Sequence, residues 1–187
     1  MCLRFIPVAT SVRTPVKTNL TTSCIFADSR ISRLLTRWFK RSSEMDLREQ
    51  IIKEARSWLG TPYHHFAMVK GAGVDCAMLL VGVYGAVGIV PDDFTPPKYS
   101  LDWHLHRDTE RYLEVIAKFC KETDDPKPGD IAMWKFGRTF SHSAILVGDG
   151  KIIHSYIGRG VVLDDINQPE LDGREVKFFT LEVLNEH

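Results

Sequence analysis

The sequence contains no apolar run approaching the roughly 18 residues that a membrane-crossing helix needs. It holds no Cys-x-x-Cys pair. Its four cysteines, Cys2, Cys24, Cys76 and Cys120, fit neither a zinc spacing nor the density of a disulfide framework. No internal repeat runs along it, which excludes solenoid and propeller architectures. The first residues lack the charged start and apolar centre of a secretory signal. Net charge is also missing, but the zero is a balance of unlike parts. Residues 1–44 hold eight Lys/Arg and two Asp/Glu, whereas the rest hold sixteen and twenty-two. A mildly acidic main domain argues against a nucleic-acid surface on it.

What is present divides in two. Residues 1–44 carry twelve Ser/Thr among their basic residues, the composition of a targeting peptide, a disordered tail or a mis-assigned start. Within them Ile31, Leu34, Leu35, Trp38 and Phe39 fall at helical spacing among Arg30, Arg33, Arg37, Lys40 and Arg41. That basic amphipathic segment, 30–41, could touch an anionic membrane, although an extra helix without function is the favoured reading. Residues 45–187 are expected to form one folded domain. An apolar fraction of 44% over 187 residues suits one domain plus an extension.

The domain is organised around Val74-Asp75-Cys76-Ala77-Met78-Leu79-Leu80-Val81-Gly82-Val83-Tyr84. The run is apolar on every side, so as a helix it belongs in the domain centre. Asp75 is a good N-cap, which puts Cys76 in the first turn. Free N–H groups and the positive end of the helix dipole there favour a thiolate, and a lowered thiol pKa is expected. The opposing view is that a free cysteine is most often a small buried hydrophobe. Cys120 is assigned that role, within a helix over 108–123 that turns Tyr112, Ile116 and Phe119 inward.

Upstream, Asp46 and Glu49 resemble a capping box, and Ile51, Ile52, Ala55, Trp58 and Leu59 form a helical stripe ending at Gly60. Downstream of Pro126-Lys127-Pro128-Gly129-Asp130 the period becomes strand-like. Strands are expected at 131–136, 143–147, 152–156, 160–166 and 176–184. Helices first and an antiparallel meander after give an α+β domain.

His142 and His154 lie twelve residues apart on two of those strands. Strand faces alternate with period two, so the pair shares a face only if the intervening loop is odd. A two-residue Asp149-Gly150 turn would separate them, and a three-residue loop is expected instead. A thiol, an imidazole to take its proton and a group to fix the imidazole tautomer are what cysteine acyl transfer needs. Cys76, His142 and His154 supply those three.

The same residues carry a family resemblance. Trp58-Leu59-Gly60-Thr61-Pro62-Tyr63, Gly73-Val74-Asp75-Cys76, Pro128-Gly129-Asp130-Ile131 and the run from His142 to His154 come in the order of the NlpC-type, papain-like cysteine peptidases. Tyr99 and Trp103-His104-Leu105-His106 resemble the phage tail-associated subset. The resemblance covers residues 46 to about 184. It implies a papain-like core of N-terminal helices on a small antiparallel sheet. It implies hydrolysis of a bacterial cell-wall stem peptide near a γ-D-glutamyl bond, through a thioester. Cys76 is then the nucleophile, His142 the base and His154 its orienting partner. Tyr63 would help the Cys76 N–H hold the oxyanion, and Asp75 would help bind the substrate amine. No cofactor or metal is implied. Phage tail proteins are possible partners; the location is left unknown, with tail-associated and cytoplasmic both open. One departure stands out: Ala77-Met78 replaces the family's usual Ser-Gly, which leaves a thiol amidase or acyltransferase open. Two rivals remain, a metal site drawing on His64, His65, His104, His106 and Cys76, and an inactive wall-binding or tail module.

Overall fold

The computed structural model describes residues 46–99 and 111–184. The basic extension with its 30–41 segment, and Trp103 to His106, lie outside the described residues. The elements in chain order are α1 (Leu47–Arg56), β1 (Met68–Val69), β2 (Gly73–Val74), α2 (Cys76–Ala86), α3 (Arg111–Ile116), β3 (Cys120–Glu122), β4 (Ile131–Phe136), β5 (Thr139–Gly148), β6 (Lys151–Tyr156), β7 (Gly160–Asp165) and β8 (Val176–Leu181), with a closing 3₁₀ turn at Glu182–Leu184. Six strands form one sheet in the order β3-β8-β4-β5-β6-β7, every neighbouring pair antiparallel. Helices come first and the sheet after, as the change of period predicts.

Helix α2 is the centre of the core. Met78, Leu79, Leu80, Val83 and Tyr84 are buried in it. They meet Ile51, Ala55 and Trp58 on one side, and Ile131, Met133, Ile145 and Ile153 of the sheet on the other. The opposite face of the sheet carries a smaller cluster, including Ala132, Trp134, Ala144, Leu146, Ile152 and Leu171. Helix α1 starts where the sequence says. Asp46 Oδ1 accepts from the Arg48 N–H at 3.2 Å. Arg48 also reaches across to the sheet, pairing with the buried Asp130 at 2.8 Å, at the root of β4. A buried pair of this kind adds little net stability, but losing one partner leaves the other charge stranded.

Two expectations need correction. The helix over 108–123 is shorter: among the described residues it covers Arg111–Ile116, and Cys120–Glu122 is a strand. Strand β8 offers an open edge, and Cys120 pairs with Leu181, Lys121 with Thr180 and Glu122 with Phe179. Ile116 and Cys120 are buried either way, so the apolar pattern could not separate the two outcomes.

The second correction concerns the β5–β6 hairpin. The loop is the two-residue Asp149-Gly150 turn, closed by the Gly148–Lys151 pair. Both turn residues have positive φ, 53° and 68°, the mirror-image geometry that Asp-Gly favours. Parity is restored instead by a bulge. The register jumps between Leu146 and Gly148, leaving Val147 as the extra residue. Beyond it Ile145 faces Ile153, and continuing that register puts Ala144 opposite His154. His142 and His154 therefore share a face, diagonally, by a device other than the expected odd loop.

A second bulge lies at the other end of β5. Trp134 pairs with His142 and Lys135 with Phe140, so Ser141 has no counterpart on β4. In a regular strand Phe140 and His142 would share a face. The extra residue turns His142 to the Trp134 side, while Phe140 stays with the main core. Bulges of this kind re-aim side chains next to active sites.

Candidate active site

Asp75 caps α2 as expected, its Oδ1 accepting from the Met78 N–H at 2.9 Å. Cys76 opens the helix and is half-buried. Its thiol donates to the Ser141 carbonyl across 3.8 Å. The bulged residue thus sits directly against the sulfur, and His142 is its neighbour in the chain. Cys76, Ser141 and His142 line one cavity of about 610 Å³, together with Tyr63 and Asp75. Much of the remaining wall is apolar, from α2, α3 and the 94–99 segment.

The histidine pair is well formed. His142 Nε2 and His154 Nδ1 lie 2.7 Å apart. The His142 ring is packed edge-on against Phe136 and Tyr156, with centroids 5.5 Å away in each case. His154 is fully buried. Burial pushes the pKa of both rings below the ordinary histidine value. For His142 the neighbouring His154 and Arg174 add to the fall, and for His154 its hydrogen bond to the Asp164 carboxylate works against it. Both rings are therefore neutral at pH 7.

The thiol departs from expectation. Burial pushes Cys76 up to about 12, the Asp75 carboxylate adds to the rise, and the backbone N–H groups of Ser143, Ala77 and Cys76 oppose it only in part. The helix terminus does not win here, because burial of the sulfur, helped by the negative cap beside it, outweighs the N–H groups. The resting pair is a neutral thiol beside a neutral imidazole.

Asp75 is more committed than the sequence suggests. It is 1% exposed. Its oxygens accept from the Phe66 N–H at 2.7 Å, from Met78, and from the Tyr99 hydroxyl at 2.9 and 2.8 Å. Phe66 adopts a positive φ of 57° to present that N–H, a strained conformation for an aromatic residue. Tyr63 is held beside β2 by a parallel bridge to Val74. Burial, with Cys76 and Asp75 nearby, raises its pKa, so its hydroxyl keeps its proton as a donor.

The proposed metal ligands do not assemble. His64 is exposed. His65 instead bonds the Tyr99 carbonyl through Nε2 at 3.0 Å. Among the described residues no three His, Cys, Asp or Glu side chains gather as a metal set; His104 and His106 lie outside them. Two polar residues that the sequence did not single out stand behind the histidines: Asp164, 3.0 Å from His154 Nε2, and Arg159. Their signal was the short spacing of an Arg and an Asp across the β6–β7 turn, which is common on surfaces and carries no site information alone.

The family model described as "NlpC/P60 family" matches residues 60–179. The chain belongs to the NlpC/P60 family. Among curated relatives, the Gamma-DL-glutamyl hydrolase of Bacillus subtilis is 26% identical over 62% of this chain and 25% of its own. The Murein DD-endopeptidase MepS/Murein LD-carboxypeptidase of Escherichia coli is 23% identical over 67% of this chain and 58% of its own. The chain thus spans a quarter to little more than half of these relatives. Of solved folds, NlpC2 from Trichomonas vaginalis superposes with a TM-score of 0.54 at 20% identity, covering 73% of this chain and 49% of that one. The NlpC/P60 fold is the papain-like helix-and-sheet core seen here.

Proposed function

We propose that this domain is a cysteine-type hydrolase of bacterial cell-wall stem peptides, with Cys76 as nucleophile, His142 as base and His154 as the group that orients it. The observation that carries the reading is the 2.7 Å His142–His154 bond at the wall of the cavity that also holds the Cys76 thiol. Two relatives named for γ-glutamyl and murein hydrolysis support the substrate class.

In the proposed step, a peptide carbonyl carbon meets Cys76 Sγ. The thiol proton passes to His142 Nδ1 as the S–C bond forms. Because the resting thiol is neutral, this transfer accompanies attack. The carbonyl electrons move to oxygen, where the Cys76 N–H and the Tyr63 hydroxyl can donate. Collapse breaks the C–N bond, and His142 returns its proton to the leaving amine. Water, activated by the same imidazole, then cleaves the thioester. Asp75 could meet a substrate ammonium only where the Tyr99 hydroxyl now sits.

A second reading is favoured by the apolar wall of the cavity, where Leu80, Val81, Phe94 and Ile116 would suit an apolar acyl group better than a stem peptide. It makes the domain a thiol acyltransferase. The test is chromatography of purified stem peptides and short-chain acyl thioesters after incubation with the wild type, Cys76→Ala and His142→Ala. Stem-peptide cleavage lost in both variants supports hydrolysis. Turnover of acyl thioesters alone transfers the assignment to acyl transfer. Undiminished cleavage by Cys76→Ala removes the nucleophile.

A further inference from the structure

The polar chain does not end at His154. Its Nε2 lies 3.0 Å from Asp164 Oδ2. Val162 of β7 pairs with His154 of β6, and Asp164, two residues on, shares that face. Arg159, in the turn between the two strands, holds the carboxylate from both sides: Nη1 donates to Oδ2 at 2.7 Å and Nη2 to Oδ1 at 2.9 Å. Nη1 also reaches Gln168 Oε1 at 3.0 Å. A bidentate guanidinium fixes both the position and the plane of a carboxylate.

A neutral imidazole has one donor and one acceptor nitrogen, so two linked neutral histidines can point their protons either way along the link. In one direction His154 donates from Nδ1 to His142 Nε2, and His142 carries its proton on Nδ1. It then has no lone pair for a thiol proton. In the other direction His142 donates from Nε2 and keeps Nδ1 open. The pair itself does not choose.

We infer that Asp164 is the positioning residue that sets this direction, forcing the proton of His154 onto Nε2 and so leaving His142 Nδ1 free to act as the base. An ionised carboxylate only accepts, so the nitrogen facing it must donate. His154 Nδ1 becomes the acceptor, His142 Nε2 the donor, and the lone pair emerges at the cavity end of the chain. Arg159 secures the condition. Partial burial pushes the Asp164 carboxyl up, but hydrogen bonds from Arg159 and His154 outweigh it and hold the carboxyl below its ordinary range. When His142 takes the thiol proton, the same chain faces the new imidazolium with an acceptor backed by a carboxylate. Asp164 is not among the residues that line the cavity. Its effect passes through His154. The inference builds on Cys76 and His142 being nucleophile and base.

The experiment is ¹⁵N-histidine NMR of the full chain at pH 8, with tautomers read from the nitrogen shifts of His142 and His154. It is paired with iodoacetamide labelling of Cys76. In the wild type both rings should be Nε2–H tautomers. An Nδ1–H proton on either ring in the wild type overturns the inference without any variant. Asp164→Asn, whose amide can donate or accept, should mix the tautomers of both rings. It should slow Cys76 labelling by roughly 10–100-fold, less than the ~10⁴-fold known for a carboxylate bonded directly to the base. Unchanged tautomers in folded Asp164→Asn also overturn it. The underlying reading fails separately: wild-type rings as stated, with hydrolysis retained in Cys76→Ala, would leave the proton direction standing and remove the catalytic assignment.

Discussion

The Ser143 hydroxyl lies 3.2 Å from the Cys76 carbonyl and donates to it, so β5 grips the first turn of α2 one residue beyond His142. That leaves the hydroxyl oxygen to accept, and the Tyr112 hydroxyl fills the place at 2.6 Å. Thiol and imidazole are spaced by this buried link rather than by contact with each other. Ser143→Ala should lower stability by about 0.5–1.5 kcal/mol, because its hydrogen bond to the Cys76 carbonyl is lost. It should also lower kcat with little change in KM. Urea unfolding and steady-state kinetics measure the two effects, and unaltered kinetics would make the link purely structural.

A neutral resting thiol has a signature. With burial and Asp75 holding Cys76 up at about 12, its alkylation rate should climb continuously from pH 7 to pH 10. A reactive thiolate–imidazolium pair would instead give a plateau near neutrality. Asp75→Asn removes the negative neighbour and should raise the rate at a given pH. A plateau below pH 7 in the wild type would contradict this picture of the site.

The elements of the site were legible because each obeys a local rule: Asp75 caps a helix, Cys76 follows it, and alternation marks the two histidine strands. The strand over Ile131–Phe136 was legible to the residue. What was hidden depends on partners distant in sequence. Cys120 joins a strand because β8 is there to receive it. The thiol pKa rises because burial is a property of the fold. Asp164 and Arg159 look like any exposed pair across a turn until β7 lies beside His154. The two bulges left no mark either. The Gly148-Asp149-Gly150 run was read correctly as a hairpin but with the wrong loop length, since parity depended on Val147, whose side chain says nothing about an unpaired backbone.

The buried histidines should make stability depend on pH in one direction. Both have folded-state pKa values below the ordinary 6.5. The unfolded chain therefore binds more protons than the folded one as pH falls. Their stability contribution is complete above about 6.5 and is lost as pH drops through that value toward the folded pKa. Each ring can contribute a slope of up to roughly 1.4 kcal/mol per pH unit in that window. Asp164, with its pKa lowered from 3.8, acts in a separate window below that value. Urea midpoints at pH 8, 7, 6 and 5 should hold between the first two and fall after. A flat series would mean that the rings gain protons without cost.

Tyr99 and Asp75 both line the cavity, and the Tyr99 hydroxyl occupies the Asp75 carboxylate. Tyr99→Phe takes away the hydroxyl that bonds both carboxylate oxygens. A hydrogen bond to a charged group contributes about 1.5–3 kcal/mol, so the variant should lose up to that amount of stability. If Asp75 receives a substrate ammonium, KM for peptides with a free amino end should fall, because the acceptor is uncovered. It should not move for peptides acetylated at that end. Equal KM changes for both would exclude Asp75 from amine recognition.

The Val147 bulge imposes an arithmetic on any change of length in the hairpin. A single residue added to or removed from the stretch between His142 and His154 would turn one ring to the far face of the sheet and sever the 2.7 Å link. Two residues together would restore it. Length variation there is therefore quantised in pairs. Loop grafting or library design on this hairpin is limited to even steps.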